Sequence, residues 1–269
     1  MGLVDNHNDT SIILTSANFF NSLANAGIGF SVVNALAQAG ANVVGIDIKN
    51  KPGQDYDAIA EQFSVKAKYF QGDVTDEASL KSAFKLAVDV LGSLDGCVTC
   101  AGIALEKAFE ETTFQETKRL QDVNVVGTYL TAQLATAQMK KQKSKGGSIV
   151  LIASITSHTV LPHHRMSAYG ATKGAVKVLS ESLAVELAPH QIRTNSISPG
   201  FIDTEMTQQV RKQNPEMDLI MVKTPPLQRI GTCDDLVGAI IYLLSDASSY
   251  TTGTDIAITG GLHVGRIGT

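Results

Sequence analysis

Short apolar runs rich in valine and isoleucine alternate with longer amphipathic segments along almost the whole chain, and this alternation restricts the fold more than any other feature. Residues 11–15 (SIILT) read as a strand, 29–38 as a helix and 41–48 (ANVVGIDI) as a strand again, with a third apolar stretch at 68–72. Residues 77–91 are expected to be helical, 94–100 (LDGCVTC) extended, 113–141 one long helix, 148–153 (SIVLIA) extended and 168–188 helical. Residues 193–198 (RTNSIS), 234–245 and 254–259 (TDIAIT) close the series as strand, helix and strand. Runs this apolar, bounded by Gly and Asp, suit strands covered on both faces. Regular strand–helix alternation predicts an α/β fold with a doubly wound parallel sheet flanked by helices. Right-handed crossovers then place all strand carboxyl ends on one edge, where ligands bind.

The chain has 269 residues, 43% of them hydrophobic and 18% charged, which suits a single domain over 11–269 preceded by a polar tail at 1–10 (MGLVDNHNDT). A net charge of −4 gives no electrostatic reason to expect nucleic acid or an anionic membrane surface as partner. Three cysteines, an odd number, suggest no disulfide framework. The tail does not resemble a secretory signal, and Asn6 stands where a myristoylation site needs Ser or Thr. No apolar run approaches the ~20 residues that span a bilayer. A soluble, cytoplasmic protein is expected. The longest irregular stretch is 201–231, with Pro215, Pro225 and Pro226. A loop of that length in a compact domain is usually functional, and a substrate lid is expected there.

Tyr169 and Lys173 stand four apart in YGATK, at the start of the expected helix 168–188. That spacing sets them on one helix face, one turn from each other. A phenol alone titrates near pH ~10 and carries protons poorly at neutral pH. A neighbouring ammonium favours phenolate and lowers that value. The pair therefore predicts a tuned acid/base of the kind proton transfer to or from a hydroxyl needs. Ser154 ends the strand 148–153, fifteen residues before the tyrosine, where its hydroxyl can hold a reacting oxygen. Ser157, twelve residues before Tyr169, is the rival, and Ser154 is preferred because it directly follows the strand.

Gly27-Ile28-Gly29 opens a helix and follows a strand, the context of a Rossmann-type dinucleotide loop. Glycines there let backbone approach a pyrophosphate whose charge sits on the helix N-terminus. Thr15 and Ser16 end the first strand as such a turn requires, but Ser16 occupies the place of a first glycine. Residues 19–25 (FFNSLAN) then read as about seven extra residues in that loop. Placing the turn at Ser22-Leu23 is the alternative, and it sacrifices the good strand. A loop that no longer holds phosphate well is a competing outcome. Asp47 ends the second strand, where an acid accepts hydrogen bonds from both ribose hydroxyls and repels a 2′-phosphate. That favours NAD, with NADP as the alternative because Lys49 and Lys51 lie close by. Asp73 follows the third apolar stretch and is placed near an adenine.

Read in order, GIG at 27–29, GDV at 72–74, CAG at 100–102, Asn124 in DVNVVG, Ser154, YGATK and SPG at 198–200 resemble the short-chain dehydrogenase/reductase family over nearly the whole chain. Within it, SITSHTVLP at 154–162, NSISPGFIDTEM at 195–206 and SDASSYTTGTDI at 245–256 look most like the fungal mannitol dehydrogenase and sorbose reductase branch. The resemblance implies Tyr169 as proton donor or acceptor. Lys173 would lower its pKa and hold the nicotinamide ribose, Ser154 would bind the substrate oxygen, and Asn124 would position a water in a proton relay. It also implies cofactor contacts from Thr15, Ser16, Gly27, Ile28, Gly29, Asp47, Asp73, Val74, Ala101, Gly102, Pro199 and Gly200, with Ile202 and Thr204 flanking the nicotinamide amide. There are three departures. The first glycine is missing from an enlarged loop. Cys100 replaces the asparagine of the usual NAG. Asp47 disagrees with the NADP preference of the polyol branch.

Two functions from different classes follow. One is NAD(P)-dependent interconversion of a secondary alcohol and a ketone, the substrate being a polyol or ketose, a cyclic ketone or a natural-product intermediate. The other uses the same scaffold for non-redox work such as cyclisation, isomerisation or ligand binding, as the altered loop and Cys100 allow. Cys97 and Cys100 have CxxC spacing, but they lie on an expected strand and only Cys233 remains elsewhere, so buried strand thiols are preferred to a metal or redox site. His158, His163 and His164 flank the expected pocket and read either as substrate contacts or as solvated loop residues. Lys140, Lys141, Lys143 and Lys145 complement a helix C-terminus. The two long helices carry more apolar positions than one sheet face requires, and related proteins pair through them, so a homotetramer or homodimer is expected.

Overall fold

The computed structural model describes residues 11–16, 27–53, 55–142, 146–161, 164–204, 207–208, 211–212 and 215–265. Seven strands form one sheet: β1 (Ser11–Ser16), β2 (Asn42–Asp47), β3 (Ala67–Gln71), β4 (Gly96–Thr99), β5 (Gly147–Ile152), β6 (Ile192–Pro199) and β7 (Asp255–Ile258). Their spatial order is β3-β2-β1-β4-β5-β6-β7, and every neighbouring pair is parallel. The strand order reverses between β1 and β4, so the carboxyl ends of those two strands open the crevice where a ligand fits.

Why the strands read as continuous apolar runs is visible in which way their residues face. Successive side chains of a strand point to opposite sides of the sheet. Ile13, Val44, Cys97, Ile149 and Leu151 join a core with Leu80, Phe84, Leu120, Met139 and Val176. Their neighbours Ile12, Val43, Val98, Val150 and Ile152 join a second core with Val32, Leu36, Leu236, Ile240 and Leu243. Helices therefore cover both faces, and neither side of the sheet is left polar.

The helices are α1 (Ile28–Gln38), α2 (Tyr56–Phe63), α3 (Glu77–Leu91), α4 (Phe114–Gln121), α5 (Gly127–Lys141), α6 (Ser167–Leu187), α7 (Pro215–Lys223) and α8 (Asp234–Leu244). Asp76 caps α3 through Ala78 N and Ser79 N, and Thr113 with Glu116 forms a capping box that starts α4.

Three expectations are corrected. Helix α2 lies in a region read as having no element; Asp55 caps it, accepting from Asp57 N and Ala58 N, and Ile59 is buried. The expected helix 113–141 is α4 and α5 joined by a π-turn at Asp122–Val126. The stretch 201–231 is not wholly irregular, because α7 lies within it. Met217 and Met221, one turn apart, are buried in a third cluster with Ile155, Leu161, Phe201 and Leu262, and that burial is what holds this helix in place. Among the described residues, no helix is long and apolar enough to cross a membrane.

Candidate active site

Four polar side chains from three segments converge at the carboxyl ends of β4 and β5. Ser154 follows β5, is 7% exposed, and accepts from Thr156 N at 3.2 Å, which fixes its rotamer at the head of a short 3₁₀ turn. Its hydroxyl faces the Tyr169 phenol and acts to lower that phenol's pKa. The hydroxyl of the rival, Ser157, is buried and has no partner among the described residues.

Tyr169 and Lys173 share one face of α6, with the ammonium 5.9 Å from the ring centroid. Lys173 Nζ donates to Ile152 O at 2.7 Å, which leaves two of its three donors. Burial pushes the ammonium down to about 8. Burial raises the phenol above its ordinary value, and the nearby Ser154 hydroxyl only partly opposes this. The expectation that Lys173 lowers the phenol's pKa therefore does not describe the protein without ligand. Loss of hydration is the stronger effect there, and the ammonium bonds a backbone carbonyl instead.

Asn124 lies within the π-turn and is fully buried. Its Oδ1 accepts from Ile103 N at 2.8 Å, while Nδ2 donates to Ile103 O at 2.9 Å and to Thr172 Oγ1 at 2.9 Å. Thr172 in turn donates to Tyr169 O at 2.7 Å. One Oδ1 lone pair stays free. The π-turn widens the helix where this side chain must reach back to the β4 loop, a common use of such turns at functional sites. Thr172 was not expected from the sequence. Its signal was its place within YGATK, on the helix turn that carries both Tyr169 and Lys173.

A cofactor-shaped set of features extends from this centre. Helix α1 begins at Gly27 and, among the described residues, has no side-chain cap and no acid in its first turn, so it presents N–H groups suited to an anion. Among the described residues, a Cβ on Gly27 would meet nothing within 4 Å. Ile28 and Gly29 form its first turn. A Cβ on Gly102 would stand 3.4 Å from Lys173 Nζ and 3.5 Å from Asn124 Oδ1, in space that only a glycine leaves clear for a ligand. Thr15 and Ser16 end β1 beside Ile46 and Asp47. Asp47 is 6% exposed and accepts from Lys49 N at 3.1 Å. Asp73 accepts from Thr75 N at 2.8 Å, and with Val74 it borders a cavity of about 560 Å³ also lined by Ile48, Arg119 and Val123. Ala101 is buried beside Gly102, and Pro199 ends β6 with Gly200 after it. Ile202 is buried and pairs with Gly231, and Thr204 N donates to Thr207 Oγ1 at 2.9 Å. These features fit a dinucleotide. The extra loop residues 19–25, His163, Lys143 and Lys145 lie outside the described residues.

Cys97 is buried in β4, and Cys100 lies just past that strand, near Lys173 and Cys233. Burial pushes both thiols up to about 12, so they are protonated at neutral pH. Among the described residues, no cluster of three or more His, Cys, Asp or Glu is placed to hold a metal ion. His158 does not sit free in solvent: its Nε2 is 2.7 Å from Asp255 Oδ2.

Comparison with known proteins agrees with the geometry. The family model described as enoyl-(acyl carrier protein) reductase matches residues 23–263. The chain belongs to the short-chain dehydrogenase/reductase family. It is 38% identical to sorbose reductase sou1 of Schizosaccharomyces pombe over 87% of this chain and 91% of that one. It is 34% identical to an L-rhamnose 1-dehydrogenase (NAD(P)(+)) of Sphingomonas sp., over 90% of this chain and 94% of the other. The structure of a gluconate 5-dehydrogenase from Burkholderia cenocepacia J2315, in complex with NADP and tartrate, superposes with a TM-score of 0.82 at 27% identity, covering 95% of this chain and 96% of that one. The expected branch is thus met by a fungal sorbose reductase. This short-chain dehydrogenase is an oxidoreductase acting on CH–OH groups with a nicotinamide cofactor.

Proposed function

We propose that the protein interconverts a secondary alcohol and a ketone, with Tyr169 as acid/base, Ser154 holding the reacting oxygen, Lys173 on the nicotinamide ribose, and Asn124 at the start of a proton relay. The placing of the Ser154 hydroxyl at the Tyr169 phenol supports this reading, because those two hydroxyls must share one substrate oxygen. The bound nicotinamide supplies or accepts the hydride. In reduction Tyr169 gives its proton to the carbonyl oxygen, and in oxidation the phenolate takes the hydroxyl proton. Ser154 keeps that oxygen in line. The two remaining donors of Lys173 reach ribose hydroxyls, and a water over Gly102, between Lys173 Nζ and the free lone pair of Asn124 Oδ1, continues the proton path. The segment 201–231 closes over the substrate as a lid. Reduction of a ketone, followed as loss of nicotinamide absorbance, tests the reading; NADH binding without any carbonyl turnover would move the protein to the non-redox class.

NAD is the cofactor this reading favours. Asp47 ends β2 where a 2′-phosphate would meet a carboxylate, and juxtaposed like charges cost several kcal/mol. Titration by nicotinamide fluorescence should give NADH at least about tenfold tighter binding than NADPH, and Asp47→Ala should erase most of that ratio. Equal binding of both by the unaltered protein would remove Asp47 as the selector. The protein has no tryptophan, which keeps the fluorescence background low.

Exposed apolar residues on the outer faces of the long helices support assembly as a dimer or tetramer. Val126 and Tyr129 near the start of α5, and Val178 and Val185 on α6, are each more than half exposed. Such a face is suited to burial against a second copy. Light scattering at micromolar concentration should give a dimer or tetramer; a mass near 28.5 kDa overturns this.

A further inference from the structure

We infer that His164 binds a second hydroxyl of the substrate, so that the carbonyl compounds this site prefers are polyhydroxylated. The inference rests on the oxidoreductase reading above and adds to it a substrate class and the residue that selects it. The His164 side chain is 3% exposed, and its Nδ1 lies 3.2 Å from Glu106 Oε2. A carboxylate at Nδ1 holds the proton there, so in the neutral ring Nε2 presents a lone pair. That nitrogen is buried and has no partner among the described residues. A buried polar atom without a partner is uncommon in a folded protein and costs about 1–3 kcal/mol.

The ring's place gives that cost a purpose. His164 lies on the segment between Ser154 and Tyr169, five residues before the phenol. It stacks on Phe201 at 5.4 Å between ring centroids, and Phe201 is the first residue of the segment read as a lid. Phe201 packs in turn with Ile155, Leu161, Met217 and Met221. Glu106 lies on the loop after β4, which is tied to the same segment by Lys107 N donating to Arg165 O at 2.8 Å. The reacting-oxygen loop, the lid base and the β4 loop thus meet at His164. Ile155, Leu161, Met217 and Met221 make part of their shared wall apolar. A substrate hydroxyl reaching that wall donates to Nε2 and relieves the unpaired atom, whereas a simple ketone leaves it unpaired. Sites that hold a substrate hydroxyl in this way reject analogues lacking it.

The experiment compares the unaltered protein with His164→Phe, which keeps the stack on Phe201 and removes the nitrogens. The probes are a 2-ketohexose and cyclohexanone, each with saturating NADH. The expected result is a loss of at least about tenfold in kcat/KM for the ketohexose, mostly in KM, with cyclohexanone changed less than about twofold. Equal losses for both substrates, or cyclohexanone preferred by the unaltered protein, overturn the inference and leave the oxidoreductase reading standing. Binding of a hexitol to the protein–NAD⁺ complex, measured by calorimetry, gives a readout that needs no turnover. Hexitol heat that vanishes in His164→Phe supports the inference even if no carbonyl is reduced, and the absence of hexitol binding, or binding that His164→Phe leaves intact, overturns it. Absence of nicotinamide absorbance change with every carbonyl is a failure of the oxidoreductase reading alone.

Discussion

Replacing Tyr169 by phenylalanine should lower kcat for ketone reduction by about 10³-fold while leaving NADH binding within about twofold of the unaltered protein. The change removes one oxygen from a side chain whose ring stays packed against the first core. Fold and cofactor site should therefore persist, and the loss reports proton transfer alone. The pH profiles of the unaltered protein carry the same information. Burial holds the phenol above its ordinary range, so it is protonated throughout the neutral region. Reduction needs the protonated form and should be flat between about pH 6 and 8. Oxidation of the alcohol needs the phenolate, and its kcat should climb with pH over the same interval. A Tyr169→Phe protein retaining a tenth of the normal reduction rate would place the proton donor elsewhere. Retained activity with a displaced pH profile would point to the water near Asn124.

Most of the fold was legible in the sequence because the sheet is covered on both faces. Ile12 and Ile13 go to opposite cores, as do Val43 and Val44, so no polar residue interrupts these runs and their type could be read directly. Helix α2 was missed for the opposite reason. Its amphipathic pattern is short, only Ile59 is buried, and Pro52 and Gly53 just before it read as loop. Its signal was Asp55 as a cap followed by apolar residues at Tyr56, Ile59 and Phe63. Helix α7 was hidden by prolines on both sides, since local chemistry signalled a loop whereas burial of Met217 and Met221 decided for a helix.

At the site, residue types and spacing led to Ser154, Tyr169 and Lys173, because their chemistry depends on identity and helical periodicity. They did not lead to Thr172 or Ile103, which hold Asn124 through contacts made across the fold. Nor did they give the direction of the tyrosine's pKa. The sequence argument counted the nearby charge and could not weigh burial, which proved the larger effect. His164 shows the same limit. Three histidines near the pocket were visible, but only the structure distinguishes the one held by Asp255 from the one facing an apolar wall with a nitrogen unpaired.

Lys173→Met should reduce kcat by at least about 100-fold and change how stability depends on pH. Lys173 is 5% exposed, and its ammonium is pushed from 10.5 down to about 8. Between those two values the unfolded chain binds the proton and the folded protein does not. Stability from this group therefore rises with pH across the window, and the cost of burying the charge is fully present below about pH 8. The gap between 10.5 and 8 corresponds to about 3 kcal/mol. Methionine removes that cost, but it leaves Ile152 O without its 2.7 Å donor, a loss of about 1–3 kcal/mol. The two effects nearly cancel at pH 7, so the variant should melt at or slightly above the temperature of the unaltered protein. By about pH 10 the lysine is neutral and still donates its hydrogen bond, so the order should reverse, with the unaltered protein the more stable. Cys100 lies near Lys173, but burial keeps its thiol protonated to about pH 10 in either protein, so with the other raised thiols and phenols it drops out of the difference. Thermal melts of the pair at pH 7, 8, 9 and 10 provide the measurement. A difference in melting temperature that does not move with pH would mean that the ammonium is hydrated in solution. A site built to hold a buried lysine charge against a nicotinamide ribose would then need another cation.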